Sequence, residues 1–478
     1  MRKYKFSLLC VAALIWVLVF SGQTLTTKPR LWFDESINIE LARNFSLFGK
    51  LDISVSPGNF SGQQALLQNT GYPVTLPLAL FFKIFGFGLV QARVYMLIWL
   101  AAALLMVIWL VRKIFGERYA AWSLLLIATF APFYANGRCV MGEIPGFFFL
   151  ILAVYWLWYR GGQGGGIFLG GIFLGLAAAA KPSIYLLALP VVALVILWHR
   201  QEWLKRCLAI FSGAALPILA WLVIAMPNLF LVSEWAKLAA FYKKPFGEIS
   251  AGDNIMANLA IFWHHSTIIY FGALLAVMAL AIFMRKDFFK QHKNFLIFTL
   301  AYCVLAFFYF LRSPGWLRYL IAGQLLLFLI IPYAWANILD KINFKKERLR
   351  KFLFSLILLS LTGLQLWHLL YRADLFTSNL SQTVLEFIKT QPENKTVGII
   401  NSPAIACLID PARKIQILKM LGLPVLGVNP LALKAEQLPD IIIAGREEEE
   451  FKKYENIVRE KYQLIKSIDS YNIYNLSL

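Results

Sequence analysis

Residues 30–46 read Arg30-Leu31-Trp32-Phe33-Asp34-Glu35-Ser36-Ile37-Asn38-Ile39-Glu40-Leu41-Ala42-Arg43-Asn44-Phe45-Ser46. Adjacent carboxylates, Asp34 and Glu35, follow two aromatic residues, open a short helical pattern, and come shortly after the first apolar run, 6–20. An acidic doublet held against a membrane surface is costly unless cations pair with it or chemistry employs it. That a membrane is present follows from composition: 59% of the 478 residues are hydrophobic, 15% are charged, and the mean hydropathy is +0.65. A soluble chain of this length needs far more polar surface, so the class is a polytopic membrane protein.

The formal net charge of +20 invites a nucleic-acid reading. The basic residues, however, sit in short clusters between apolar runs, the pattern of cytoplasmic membrane loops, and this excludes nucleic acid as the partner. Toward the N-terminus, Arg2, Lys3 and Lys5 precede the run 6–20, and Ser21-Gly22-Gln23 makes a poor cleavage site. We therefore expect an uncleaved first span with the N-terminus in the cytoplasm. Five cysteines, Cys10, Cys139, Cys207, Cys303 and Cys407, show no paired or metal-type spacing and read as small hydrophobes.

Toward the C-terminus, Gly71-Tyr72-Pro73 leads into an apolar stretch, 74–85, bracketed by Pro73, Pro77 and Gly86. It reads either as a thin span or as a helix lying on the membrane face. Further spans are expected at 89–111, 119–134, 143–159, 166–180, 183–198, 207–226, 265–284, 295–311, 317–337 and 352–371. If 74–85 is interfacial, the clusters around Arg112, Arg160, Arg206, Lys286 and Lys346 all fall on the N-terminal side, as the positive-inside rule requires. Counting it as a span would send every later cluster outside.

The expected fold is thus an all-α polytopic membrane protein of about eleven transmembrane helices, with interfacial helices in the first extracytoplasmic loop. Residues 1–371 form the membrane module. Residues 372–478 form a small extracytoplasmic α/β domain, with strands at 396–400 and 440–444 and a charged helix at 447–459. The glycines at 161–166 read as a cytoplasmic turn.

This topology gathers charge at one face: Asp34, Glu35, Arg138, Glu143, Lys181, Arg312 and Arg318 all stand at outward-facing ends of spans. Taken singly, each is explained by snorkelling or ion pairing. As a set, they provide Arg and Lys for an anionic lipid headgroup and a carboxylate to accept a proton.

Trp32-Phe33-Asp34-Glu35-Ser36 with Ala42-Arg43-Asn44 and Gly49 resembles the first-loop signature of the C-type glycosyltransferase superfamily, in the branch of protein O-mannosyltransferases and aminoarabinose transferases. Gly71-Tyr72-Pro73 with Phe85-Gly86 and Arg93 resembles the segment that follows. Arg138 to Pro145 stands in the position of that family's second acidic loop, Gly170-Gly171 and Gly175 ahead of Lys181-Pro182 resemble its Gly-rich span, and Arg318-Tyr319-Leu320 resembles its late Arg-Tyr motif. The Gly-Lys-Pro-Pro variant of the family is absent here, and the second acidic position is Glu143 where Asp is more usual.

The resemblance implies inverting transfer of a sugar from a polyprenyl-phosphate carrier to an acceptor hydroxyl on the outer face, with lipid, glycan or protein as acceptor. Asp34 would be the general base, with Glu35 orienting it or the acceptor. Lys181, Arg138 and Arg318 would bind the donor phosphate, and Glu143, Tyr72, Arg93 and Tyr319 would support the site or the acceptor. No metal and no cofactor beyond the lipid-linked donor is implied. Two other classes fit parts of the sequence, a flippase or transporter of lipid-linked glycans and a non-catalytic membrane protein. A transporter calls for polar residues through the bilayer centre, whereas 101–110 and 321–331 carry no charge.

Overall fold

In the computed structural model, residues 2–62, 69–160, 164–198, 202–226, 228–243, 250–261, 264, 266–342, 347–373, 376–410, 412–419, 438–445, 458 and 460–477 are described. The chain forms two compact units. One comprises Met1–Gln23, Met96–Trp221 and Tyr242–Asp374, and the other comprises Thr24–Tyr95, Leu222–Phe241 and Leu375–Leu478.

The first unit is helical and apolar. Among the described residues, six helices are long and apolar enough to cross a membrane: Leu89–Phe115, Trp203–Ala225, Ser266–Met284, Lys293–Arg312, Leu317–Ile342 and Glu347–Arg372. A seventh candidate is a broken one, Ala131–Arg138 with Glu143–Arg160, bent by 108°. The count of about eleven is not reached by this test, because several expected spans are shorter helices: Phe6–Gly22, Gly165–Ala180 and Pro182–Leu197. The expected span 119–134 breaks after Ala128, where Thr129 turns its hydroxyl onto the Leu125 carbonyl at 2.8 Å and Pro132 opens the next helix.

Leu317–Ile342 lies at the centre of the first unit, with its residues from Ile321 to Pro332 all buried. Glycines bring neighbouring helices close. A side chain at Gly171 or Gly175 would collide with the carbonyls of Ile210 and Ala214, and one at Gly213 with that of Phe168. Helices Gly164–Ala180 and Trp203–Ala225 thus meet backbone to backbone, the packing that small residues permit in membranes. Gly164 to Gly166 already belong to the first of these helices; of the expected turn, only 161–163 lie outside the described residues.

The second unit contains the acidic stretch. Helix Phe33–Phe48 has Asp34 and Glu35 in its first turn, where the positive end of the helix dipole favours them, and ends at Gly49, whose φ of 69° closes the helix with a bond to Phe45. A short hairpin follows, β1 (Ser54–Ser56) with β2 (Asn59–Phe60). Helix Tyr72–Phe85 spans only 14 residues, about 21 Å at 1.5 Å per residue, short of the roughly 30 Å hydrocarbon core.

The tail supplies a five-stranded sheet: β3 (Val397–Ile400), β4 (Ile415–Lys419), β5 (Ile441–Ala444), β6 (Tyr462–Ile468) and β7 (Tyr471–Leu476), in the order β4-β3-β5-β7-β6. β3 pairs in parallel with β4 and β5, and β7 antiparallel with β5 and β6. The two expected strands are therefore β3 and β5. The expected helix at 447–459 falls almost wholly outside the described residues. Ile417 of β4 packs with Ile37, Leu41, Leu51 and Ile53, so the tail and the acidic helix share one apolar cluster.

Candidate active site

Ten consecutive residues of the acidic helix, Glu35 to Asn44, are buried although six of them are polar. Buried polar groups must find partners or forfeit kilocalories, and here partners exist. Arg93 donates to both oxygens of Glu35, at 2.9 and 2.7 Å, and to the Leu25 carbonyl at 2.7 Å; both side chains are fully buried. Asn38 donates to Thr70 at 3.1 Å, tying the helix to the Gly71-Tyr72-Pro73 segment, and Asn44 donates to the Asp52 carbonyl at 2.7 Å. Asp52 itself accepts from the main chain of Ile53 and Gly62 at 2.7 and 2.8 Å and from the Ser61 hydroxyl.

Asp34 differs from its neighbour. Adjacent helical positions point about 100° apart, and while Glu35 is turned into the unit, Asp34 is partly exposed, as is Tyr72 at the start of its helix. Of the two carboxylates, Glu35 is committed to a guanidinium and Asp34 is the one reachable from outside.

Sequence reasoning passed over Glu40 and gave Arg43 no role. Arg43 donates to the carbonyls of Ala406, Cys407 and Ile409 at 3.2–3.3 Å, so the acidic helix grips the end of a short tail helix, Pro403–Ala406, and the turn after it. Glu40 lies 3.5 Å from Arg43. Burial raises its pKa above the ordinary carboxylate value, opposed by the Arg43 charge. A carboxyl that prefers its proton when folded contributes most below its unfolded pKa and loses that contribution as pH rises through the folded one. Thermal unfolding of the purified protein is therefore expected to show stability falling from mildly acidic toward neutral pH, and Glu40→Gln is expected to flatten that slope. An unchanged slope in the variant would remove Glu40 as its source. The i, i+3 spacing of an acid and a base was the available signal.

In the first unit, the remaining candidates stand where helices break. Pro182 disfavours helical backbone at the residue before it, and Lys181 accordingly adopts φ −147°, ψ 86° just after Ala180. The Ala180 carbonyl lies against Gly142, where any side chain would clash. That close approach brings the start of Glu143–Tyr155 to the end of Gly164–Ala180 and sets Glu143 3.7 Å from Lys181, both almost wholly buried. The Tyr185 hydroxyl also donates to the Glu143 carbonyl.

Arg138 ends the helix before the break. It is fully buried, donates to the carbonyls of Tyr134 and Ser21 at 3.4 Å, and lies 6.0 Å over the Phe20 ring. Arg318 is partly exposed and stacks 4.5 Å over Trp316, while Tyr319 is buried edge-on to Tyr309 at 4.7 Å. The loop before Arg318 is pinned by Asn258, which donates to the carbonyls of Leu311 and Ser313 at 2.9 and 2.6 Å, a role not evident from sequence. Among the described residues, no group of three or more His, Cys, Asp or Glu side chains converges as metal ligands.

Residues 74–235 match the family model described as dolichyl-phosphate-mannose-protein mannosyltransferase. Two structures of ArnT from Cupriavidus metallidurans superpose over 99% of this chain and 98% of theirs: the apo state at 14% identity and TM-score 0.62, and the undecaprenyl phosphate complex at 12% and 0.63. The fold is that of the C-type glycosyltransferases. The archaeal oligosaccharyltransferase AglB from Archaeoglobus fulgidus, in complex with an inhibitory peptide and a dolichol-phosphate, shares it at 12% identity and TM-score 0.55, over 100% of this chain and 74% of its own. No curated protein sequence matches the chain. The resemblance read from the first-loop, Gly-rich and Arg-Tyr motifs is borne out at the level of this superfamily.

Proposed function

We propose that the protein is an integral-membrane glycosyltransferase that moves a sugar, with inversion, from a polyprenyl-phosphate carrier to an acceptor hydroxyl on the extracytoplasmic face. The observation that carries this reading is the division of labour in the acidic doublet: Glu35 is locked on Arg93, and Asp34 is partly exposed one position away. Undecaprenyl phosphate bound to ArnT and dolichol-phosphate bound to AglB, two similarly folded proteins, support the donor class.

In this mechanism the acceptor oxygen attacks the anomeric carbon as its proton passes to an Asp34 carboxylate oxygen. The bond between the anomeric carbon and the phosphate oxygen breaks, and the lipid phosphate leaves carrying the additional negative charge. A phosphate is a good leaving group, so the site needs cations more than an acid. Lys181, Arg138 and Arg318 stabilise that charge, while Glu143 holds Lys181 in position and Glu35 with Arg93 fixes the first turn that carries Asp34. Tyr72 and Tyr319 support the site or the acceptor, and no metal or cofactor takes part.

The chain crosses the bilayer about eleven times: besides the six long helices, Phe6–Gly22, Glu117–Ala128 continued by Ala131–Arg138, Glu143–Arg160, Gly165–Ala180 and Pro182–Leu197 each count as a crossing. The N-terminus is cytoplasmic, and the acidic helix and the domain at 372–478 are extracytoplasmic.

The test is reconstitution of the purified full chain with synthetic polyprenyl-phosphate sugars and a pool of glycan, lipid and peptide acceptors. Released polyprenyl phosphate and a product of opposite anomeric configuration are expected. Transfer from nucleotide sugars only, or with retained configuration, would overturn the reading.

A further inference from the structure

The helix that begins at Glu143 ends in a π-helical turn, Trp156–Arg160. From Glu143 to Arg160 the rise is about 26 Å, so this turn lies toward the opposite membrane boundary. Such turns recur at functional sites. Here a cavity of about 280 Å³ opens beside the turn, with Arg160, Arg206, Asn294 and Trp158 on its lining and Ile196 and Ile210 in its apolar wall. These residues come from separate helices of the first unit.

Both arginines are exposed, and Arg160 is held 4.7 Å over the Trp156 ring. Lys293, next to Asn294, lies 5.3 Å over Trp198 and adds a third cation to this end of the unit. Glu202, one turn before Arg206, is the acid nearest to it in sequence, and its main-chain carbonyl accepts from Arg206 N at 3.0 Å.

We infer that this pocket binds one anionic phospholipid, its phosphodiester on Arg160 and Arg206 and its first acyl carbons against Ile196 and Ile210. Guanidinium forks match phosphate oxygens, and basic pockets between membrane helices on the cytoplasmic side hold anionic headgroups. A free phosphate would gain nothing from the apolar wall. A zwitterionic headgroup would bring its own cation against two others. The inference is independent of the sugar-transfer reading, and either can fail without the other.

The test is native mass spectrometry of the delipidated full chain titrated with phosphatidylglycerol or phosphatidylcholine. One phosphatidylglycerol is expected to be retained about tenfold more tightly than phosphatidylcholine, a difference of about 1.4 kcal/mol. Arg160→Ala with Arg206→Ala is expected to abolish the preference. Lys205→Ala with Arg348→Ala, which removes the same charge from exposed residues that do not line the cavity, is expected to keep it. Should the alanine pair misfold, Arg160→Gln with Arg206→Gln must show the same loss. Equal retention of the two lipids, a pocket variant that binds like the unaltered protein, or an equal loss in the charge control would each overturn the inference. Displacement by millimolar inorganic phosphate, or by equimolar polyprenyl phosphate, would also overturn it by assigning the site to another anion.

Discussion

Replacing Asp34 with Asn is expected to slow sugar transfer by about 10²- to 10⁴-fold, the range over which a positioned general base acts, while the protein folds and melts as before. The substitution keeps the shape of the side chain and removes its capacity to take a proton. Asp34 is partly exposed in the first turn of its helix, and the lost interaction with the helix dipole costs about 0.3–1 kcal/mol. The measurement is turnover of the reconstituted enzyme beside its thermal midpoint in detergent. A variant within about threefold of full activity would show that the proton goes elsewhere, since one pKa-matched base is worth far more than that.

The second large effect is on stability. Arg93→Met leaves Glu35 without its bidentate partner in a place from which water is excluded, and breaking one side of a buried ion pair typically costs about 3–5 kcal/mol. Against a total stability of about 5–15 kcal/mol, that is enough to lower the yield of folded protein sharply. Glu35→Gln combined with Arg93→Gln buries no charge and is expected to recover more than half of the loss, a non-additivity that separates ion pairing from simple packing. The recovered protein is still expected to turn over slowly, because the first helical turn has lost the anchor beneath Asp34. If Arg93→Met melts with the unaltered protein, the pair is not an anchor and Asp34 is held by something else.

Much of this architecture was legible in the sequence because a membrane imposes a simple rule. Long apolar runs such as 89–111 and 295–311 have no alternative to a helix, and the structure has helices there, Leu89–Phe115 and Lys293–Arg312. Breaks were less legible. The expected span 119–134 reads across the break after Ala128, and the 108° bend between Ala131–Arg138 and Glu143–Arg160 accompanies a backbone contact between Gly142 and Ala180 that only the fold discloses.

The same holds for the acidic doublet. Its two residues look equivalent in sequence, and they are distinguished by an arginine 58 positions downstream. The attachment of the tail through Arg43 had no signature because its acceptors are main-chain carbonyls. The β6–β7 hairpin was overlooked although it did carry a signal: two runs rich in Ile, Leu and Tyr around Asp469-Ser470, where Asp469 adopts a φ of 49°.

The central claim is that Asp34, Lys181 and Arg318 act on one lipid-linked sugar phosphate. An electron cryomicroscopy structure of the full chain with a polyprenyl phosphate tests it most directly. The account predicts the phosphate oxygens within about 4 Å, ion-pair distance, of the Lys181 ammonium and the Arg318 guanidinium, with the Asp34 carboxylate facing the space where the sugar would be. A lipid phosphate bound away from both cations, or an Asp34 facing away from it, would contradict the account.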